Sequence, residues 1–180
     1  MAGPIKADRI TFDHINIVVA DVDESVRFYR GLFGLRVVLD CELSGEWFET
    51  VTGFPGARAH CVVLSGADPG FRADPGFRAD PGFRIELLRY FSPAGQTEPA
   101  TRALQTEGLR HFAVRVEDID AALALARSLG YASGVEPVRV PFSILPTGKR
   151  MAYLRDPDGV VLELAEYGGG SAPGGGKCDG

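Results

Sequence analysis

An internal repeat constrains this chain more than any other feature. FDHINIVVADVD, Phe12 to Asp23, lies over LRHFAVRVEDID, Leu109 to Asp120, so that His14 falls on His111, Val19 on Val116, Asp21 on Asp118 and Asp23 on Asp120, each pair 97 residues apart. The sequence after each copy is alike too. Val22, Val26, Tyr29, Leu32 and Phe33 recur at helical spacing, as do Ile119, Leu123, Ala126 and Leu129, and Gly34 and Gly130 stand where each helix should stop. Each predicted helix runs into three β-type segments: Arg36 to Leu39, His60 to Leu64 and Arg84 to Tyr90 in the first copy, and Val135 to Val140, Arg150 to Arg155 and Val160 to Tyr167 in the second. The repeat predicts an α+β fold of two βαβββ modules.

The closing hairpins carry the same register. Asp80-Pro81-Gly82 precedes Ile85-Glu86-Leu87, and Asp156-Pro157-Asp158-Gly159 precedes Leu162-Glu163-Leu164, so Glu86 corresponds to Glu163 at an offset of 77. The first module is therefore 20 residues longer between its His and its Glu. Two of three tandem ADPGFR copies between Ala67 and Arg84 explain 12 of those 20. A hexapeptide with a Pro-Gly turn in every copy suits an expanded hairpin loop that leaves the strand register intact. The alternative is a flap whose Phe71, Phe77, Arg72 and Arg78 cover a site mouth. The expected organisation is an N-terminal extension over 1–9, a first module over 10–95 with the insertion at 67–84, a linker over 96–108, a second module over 109–167 and a disordered Gly-rich tail over 168–180.

Composition limits the partners. A formal net charge of −5 argues against duplex nucleic acid or an anionic membrane, both of which require clustered positive charge. No apolar run approaches the ~18 residues of a spanning helix, and MAGPIKADRI lacks the apolar core of a signal peptide, so a cytoplasmic location is expected. Cys41, Cys61 and Cys178 form no CxxC pair and suggest neither a disulfide framework nor a thiolate metal site.

Two of the three histidines, His14 and His111, fall at equivalent points on the first strand of each module, and each module ends with a Glu set between apolar strand residues. A Glu between Ile85 and Leu87, or between Leu162 and Leu164, points to the opposite face from its neighbours. Taken singly, each is an ordinary exposed strand residue. Together, two His and two Glu related by a pseudo-twofold make a closed ligand set for one divalent ion, Zn, Ni, Co, Mn or Fe. Four protein ligands on an octahedral ion leave two positions for substrate oxygens. Glu46, Trp47 and Glu49 read as an amphipathic surface segment or as pocket lining, and Lys149 and Arg150 as loop cations that can hold an anionic group.

FDHINIVVADVDESVRFYRGLFGL, RIELL, LRHFAVRVEDIDAAL and MAYLRDPDGVVLEL resemble the landmark segments of the vicinal oxygen chelate superfamily over Ile10 to Tyr167. That group includes glyoxalase I, methylmalonyl-CoA epimerase, extradiol dioxygenases and antibiotic-binding resistance proteins. The resemblance implies mixed sheets curved around a metal, with His14, Glu86, His111 and Glu163 as its ligands, and a homodimer acting on a small molecule. Val160 departs from the Asn that many members carry after the DPDG turn.

A fourth candidate ligand, Glu86, argues against the three-ligand pattern of the dioxygenases, and a complete ligand set argues against a pure sequestering protein. Proton transfer beside a metal-bound carbonyl remains. LLRYFSP and GLRHFAVRVEDIDAAL look closer to methylmalonyl-CoA epimerase, and to its relatives that invert centres beside cyclitol ketones, than to glyoxalase I. The expected activity is therefore a metal-dependent epimerase or isomerase, with Glu86 and Glu163 serving the two faces of a planar intermediate and His60 as a further candidate base. The alternatives are a glyoxalase-I-like lyase and a non-catalytic resistance protein.

Overall fold

A computed structural model of the chain describes residues 12–66, 83–96, 104–105, 107–141, 145 and 147–171. The strands and helices are β1 (Ile15–Val18), α1 (Val22–Phe33), β2 (Arg36–Leu43), α2 (Glu46–Thr52), β3 (Arg58–Ser65), β4 (Arg84–Ser92), β5 (His111–Val116), α3 (Ile119–Ser128), β6 (Val138–Val140), β7 (Thr147–Arg155) and β8 (Val161–Ser171). The chain divides into two compact units after residue 97. The first holds a four-stranded sheet in the order β1-β4-β3-β2, the second one in the order β5-β8-β7-β6. In each, the first strand runs parallel to the last and the other pairings are antiparallel, which makes both sheets mixed. This is the expected βαβββ fold, found twice.

Local chemistry explains why the two copies start alike. Asp21 caps α1 by accepting a hydrogen bond from the Glu24 amide at 3.1 Å, and Asp118, its equivalent, caps α3 by accepting one from the Ala121 amide at 2.9 Å. Each such cap stabilises a helix by about 1 kcal/mol. The repeated Asp is thus a helix-start signal and carries no chemistry of its own. At the far end of α1, Gly34 adopts φ 61°, the left-handed conformation that lets its amide return to the Arg30 carbonyl.

Each helix covers one face of its own sheet. In the first unit α1 packs on β3 and β4, and the face bearing Val62, Leu64, Ile85 and Leu87 is buried together with Phe28 and Tyr29. In the second, α3 packs on β7 and β8 with Ile119, Leu123, Leu154, Leu162 and Leu164 buried. Strand alternation then commits Glu86 and Glu163 to the opposite faces of their sheets, away from α1 and α3.

The amphipathic surface segment around Glu46, Trp47 and Glu49 is the short helix α2, whose Phe48 packs with Ala57, Ala59, Leu43 and Tyr90. Two expectations change. Lys149 and Arg150 lie in a strand, not a loop, so their side chains take opposite faces. The last strand runs to Ser171, into the segment read as tail. The N-terminal extension, Phe71, Arg72, Phe77 and Arg78 of the hexapeptide tract, and Cys178 lie outside the described residues. No helix among the described residues is long and apolar enough to cross a membrane.

Candidate metal centre

Parallel pairing sets the histidine of each unit beside the glutamate. In the first, β1 and β4 pair with Ile15 opposite Ile85 and Asn16 opposite Glu86, which puts the strand-entry residue His14 on the Glu86 face. His14 Nε2 stands 3.5 Å from Glu86 Oε2. In the second, β5 and β8 pair with His111 opposite Val161 and Ala113 opposite Glu163, and His111 Nε2 stands 3.4 Å from Glu163 Oε2. The duplicated His and Glu therefore meet within each unit through the same atoms at nearly the same distance.

Surrounding groups tune the first pair. Asp13 Oδ2 lies 2.6 Å from His14 Nδ1, and Arg84 donates to the same carboxylate. The hydrogen bond with His14 holds the Asp13 carboxyl below its ordinary value of 3.8, and the charge of Arg84 adds to this. An ionised carboxylate can only accept, so His14 donates from Nδ1, and Nε2 is the ring nitrogen turned toward Glu86 and open to a metal in the neutral form. Imidazole nitrogen and carboxylate oxygen are both ligands for a divalent ion. Divalent-metal bonds of ~2.1 Å let two ligands stand roughly 3.0–3.5 Å apart. Glu86 also accepts hydrogen bonds from Asn16 Nδ2 at 2.8 Å and from the Cys61 thiol at 3.6 Å. Burial, followed by the charge and hydrogen bond of Glu86, pushes that thiol up to about 12.

The second pair has a different neighbour. Lys149 Nζ donates to Glu163 Oε1 at 2.6 Å and stands over the Tyr167 ring at 5.7 Å from its centroid. Burial alone would lower the Lys149 ammonium, but the hydrogen bond and charge of Glu163, helped by Tyr167, raise it above its ordinary value of 10.5. The His111 ring lies against Tyr153 at a centroid distance of 5.3 Å. Glu163 is itself buried, its side chain 7% exposed. One oxygen serves the lysine while the other turns to His111.

His60 does not join these groups. Its register partner is Arg89, whereas Cys61 and Val63 pair with Leu88 and Glu86, so His60 occupies the other face of the sheet, where Nε2 meets Asp40 Oδ1 at 2.7 Å. Three strand positions separate it from Val63, the partner of Glu86, and an odd number exchanges the faces. Arg150, the equivalent residue of β7, also turns away: it forks onto Asp120 with bonds of 2.8 and 2.9 Å, and Glu166, 3.6 Å away, accepts from the first amide of α3. Arg150 is a structural cation, already engaged.

Among the described residues no group of three or more His, Cys, Asp or Glu side chains is arranged to hold a metal ion. Each unit offers two donors of a kind that suits Zn, Mn or similar ions. Sequence reasoning missed Asp13, Asn16, Cys61 and Lys149 as partners of the four residues. Asn16 was accessible from strand alternation, lying two residues beyond His14 on the same face. Lys149 required knowing that it sits in a strand opposite Tyr167.

A family model described as the Glyoxalase/Bleomycin resistance protein/Dioxygenase superfamily matches residues 11–164. The chain is 40% identical over 84 residues to uncharacterized protein YaeR of Escherichia coli, covering 46% of this chain and 57% of that one. It is 25% identical over 164 residues to a putative lactoylglutathione lyase of Brassica oleracea, covering 91% of this chain and 46% of the relative. The chain thus spans about half the length of these curated relatives. Among solved structures, a glyoxalase family protein from Bacillus cereus superposes with a TM-score of 0.68 at 24% identity, over 92% of this chain and all of that one.

Proposed function

The chain belongs to the Glyoxalase/Bleomycin resistance protein/Dioxygenase superfamily, and from that premise we propose that it is a metal-dependent epimerase or isomerase. On this reading it holds a small substrate through vicinal oxygens and moves a proton α to a carbonyl, in a methylmalonyl-CoA-like thioester or a small cyclitol ketone. His14, Glu86, His111 and Glu163 supply the ligands of one divalent ion, and the chain works in the cytoplasm as a homodimer. The observation that carries the reading is the repeated approach of His Nε2 to Glu Oε2, 3.5 Å in one unit and 3.4 Å in the other. A divalent metal held by these residues would supply the Lewis acidity that makes a proton beside a carbonyl easier to remove.

The chain's own groups divide the proton work. Glu86 is hydrogen-bonded to an amide and a thiol, both neutral, so taking up a proton leaves no unpaired charge beside it. Protonating Glu163 strands the Lys149 ammonium at 2.6 Å in a largely buried site. The two carboxylates thus differ in their neighbours, neutral hydrogen-bond donors beside Glu86 and a cation beside Glu163. Inversion needs one group to take a proton and another to return it, the work this reading assigns to Glu86 and Glu163. His60, on the helix-side face, has no part in this scheme.

A second reading, a glyoxalase-I-like lyase acting on a thiol hemiacetal, has the support of the relative named a putative lactoylglutathione lyase. One experiment separates the readings. Protein purified without chelator should carry about one equivalent of divalent metal per ligand set, lost in His111→Ala. It should also catalyse exchange of the α-proton of thioester or cyclitol ketone substrates with deuterated solvent, and Glu163→Gln should slow that exchange by about 10²–10⁴-fold. Product from methylglyoxal and a thiol, with no exchange on the other substrates, favours the lyase. Metal-free protein with tight binding of a small aromatic compound favours a sequestering protein.

A further inference from the structure

Cys41 of β2 and Cys61 of β3 are register partners on adjacent antiparallel strands, so their side chains leave the sheet on the same face. Residues directly opposed in such a pair have Cα atoms about 4.5–5.5 Å apart, inside the range of about 4.4–6.8 Å that a disulfide spans. Cys41 helps to push the Cys61 thiol up, after burial and Glu86. Both are free, Cys61 buried and Cys41 partly open to solvent. The equivalent opposed pair in the second unit is Val138 and Met151, which carries no thiol. The dithiol thus belongs to the first unit alone, on the Glu86 face of its sheet, where Cys61 Sγ donates to Glu86 Oε1 at 3.6 Å.

We propose that Cys41 and Cys61 form a reversible cross-strand disulfide through exchange with a small disulfide, and that this bridge withdraws a hydrogen-bond donor from Glu86. Cys41, the accessible thiol, attacks one sulfur of the small disulfide, forming a mixed disulfide and releasing one small thiol that carries away its proton. Cys61 then attacks Cys41 Sγ. The internal S–S bond forms, the mixed one breaks, and a second small thiol leaves with the second proton. Two protein thiols are oxidised and one small disulfide is reduced to two thiols. The bridged Cys61 sulfur has no hydrogen left to donate, so Glu86 Oε1 is released.

The test uses the full chain with Cys178→Ser, treated with oxidised glutathione. Intact mass should fall by two hydrogens, and a non-reduced tryptic digest should yield one linked pair of peptides containing Cys41 and Cys61. Dithiothreitol should restore the starting mass, and Cys41→Ser should abolish the link. Accumulation of glutathionylated Cys41 without the link overturns the bridge. So does retention of both free thiols while the same chain in urea oxidises. The effect on Glu86 rests on its proposed role as a metal ligand and is read separately, by Mn²⁺ affinity from electron paramagnetic resonance. Binding should tighten several-fold on oxidation and return on reduction. Equal affinities in the two states remove the coupling to Glu86, and failure of either state to bind Mn²⁺ counts against the metal reading, whereas peptide mapping decides the bridge without any metal.

Discussion

The two units share a backbone plan and differ in what surrounds the glutamate. Glu86 lies opposite Val63 and Glu163 opposite Tyr153, and one step further along the same face Leu88 and Cys61 match Ala165 and Met151. At the next step Tyr90 meets Ala59, where Tyr167 meets Lys149. In the first unit the space over Ala59 and Tyr90 is filled by Phe48 of α2, whose ring stacks on Tyr90 at 5.9 Å. In the second the Lys149 stem runs over Tyr167 and delivers its ammonium to Glu163. The duplication thus preserved a His–Glu pair while giving one copy an apolar wall and neutral hydrogen-bond donors, and the other a buried cation. Backbone register fixes which groups meet, and the residues two strand positions away fix their electrostatics.

The Lys149–Glu163 pair is the place to break this comparison with the largest expected effect. Both side chains are largely buried, 18% and 7% exposed. Removing one partner leaves a buried charge uncompensated. Lys149→Met, which keeps most of the stem, should therefore lower the unfolding free energy by about 3 kcal/mol in chelator-treated protein. Urea denaturation measures this. Adding a divalent ion should narrow the gap, because the metal's charge replaces the ammonium and binding stabilises the folded chain. Phe48→Leu, at the corresponding place in the first unit, should show no such metal-dependent recovery. A Lys149→Met protein as stable as its parent would mean that the ion pair contributes nothing.

Residues before the histidines sharpen the comparison at a smaller scale. Asp13 orients His14 through Nδ1, but its equivalent Arg110 bonds back to the Gly108 carbonyl at 3.3 Å. Groups that orient a ligating histidine are worth roughly 10–100-fold in metal affinity. Asp13→Ala should cost affinity in that range by titration calorimetry, whereas Arg110→Ala should leave it unchanged. Equal losses would show that the charge at this position matters more than the orientation of the ring.

Much of this architecture was legible because two periodicities repeat together. Helical spacing followed by three strand segments, seen twice, determines the βαβββ order, and one residue of alternation determines that Glu86 and Glu163 leave the helix-covered faces. The pairing of His14 with Glu86 followed from the repeat even though the insertion separates them by 72 residues. The less legible features share a physical cause. Whether α2 forms depends on Phe48 finding the gap over Ala59 and Tyr90, a tertiary contact that local pattern does not encode. Lys149 and Arg150 follow Pro146-Thr147-Gly148, which signals a turn, yet the pairing of β7 with β8 draws them into the sheet and alternation separates them. His60, a candidate base in the sequence, takes the face opposite Glu86, because an odd number of strand positions exchanges one face for the other.

That exchange of faces supports the smallest prediction. His60 and Arg150 are equivalent residues on the helix-side faces of their sheets. His60 pairs with Asp40 of the neighbouring strand, while Arg150 reaches Asp120 at the start of α3 and so ties helix to sheet. The hydrogen bond with Arg150 holds the Asp120 carboxyl below its ordinary value of 3.8. A carboxyl whose folded pKa is depressed stabilises the fold above its unfolded value, and that contribution is lost as pH falls through the folded one. Asp120→Asn should therefore lower Tm slightly at neutral pH, by an amount that stays constant down to about pH 4 and disappears at lower pH. Solvent and salt screen an exposed pair, so the difference should also shrink in concentrated salt. A Tm difference that persists at pH 2 would assign the effect to helix capping or packing instead of the Arg150 fork. In that case His60 and Arg150 would be alike in lacking any part in joining helix to sheet, and the asymmetry between the units would lie wholly on the glutamate faces.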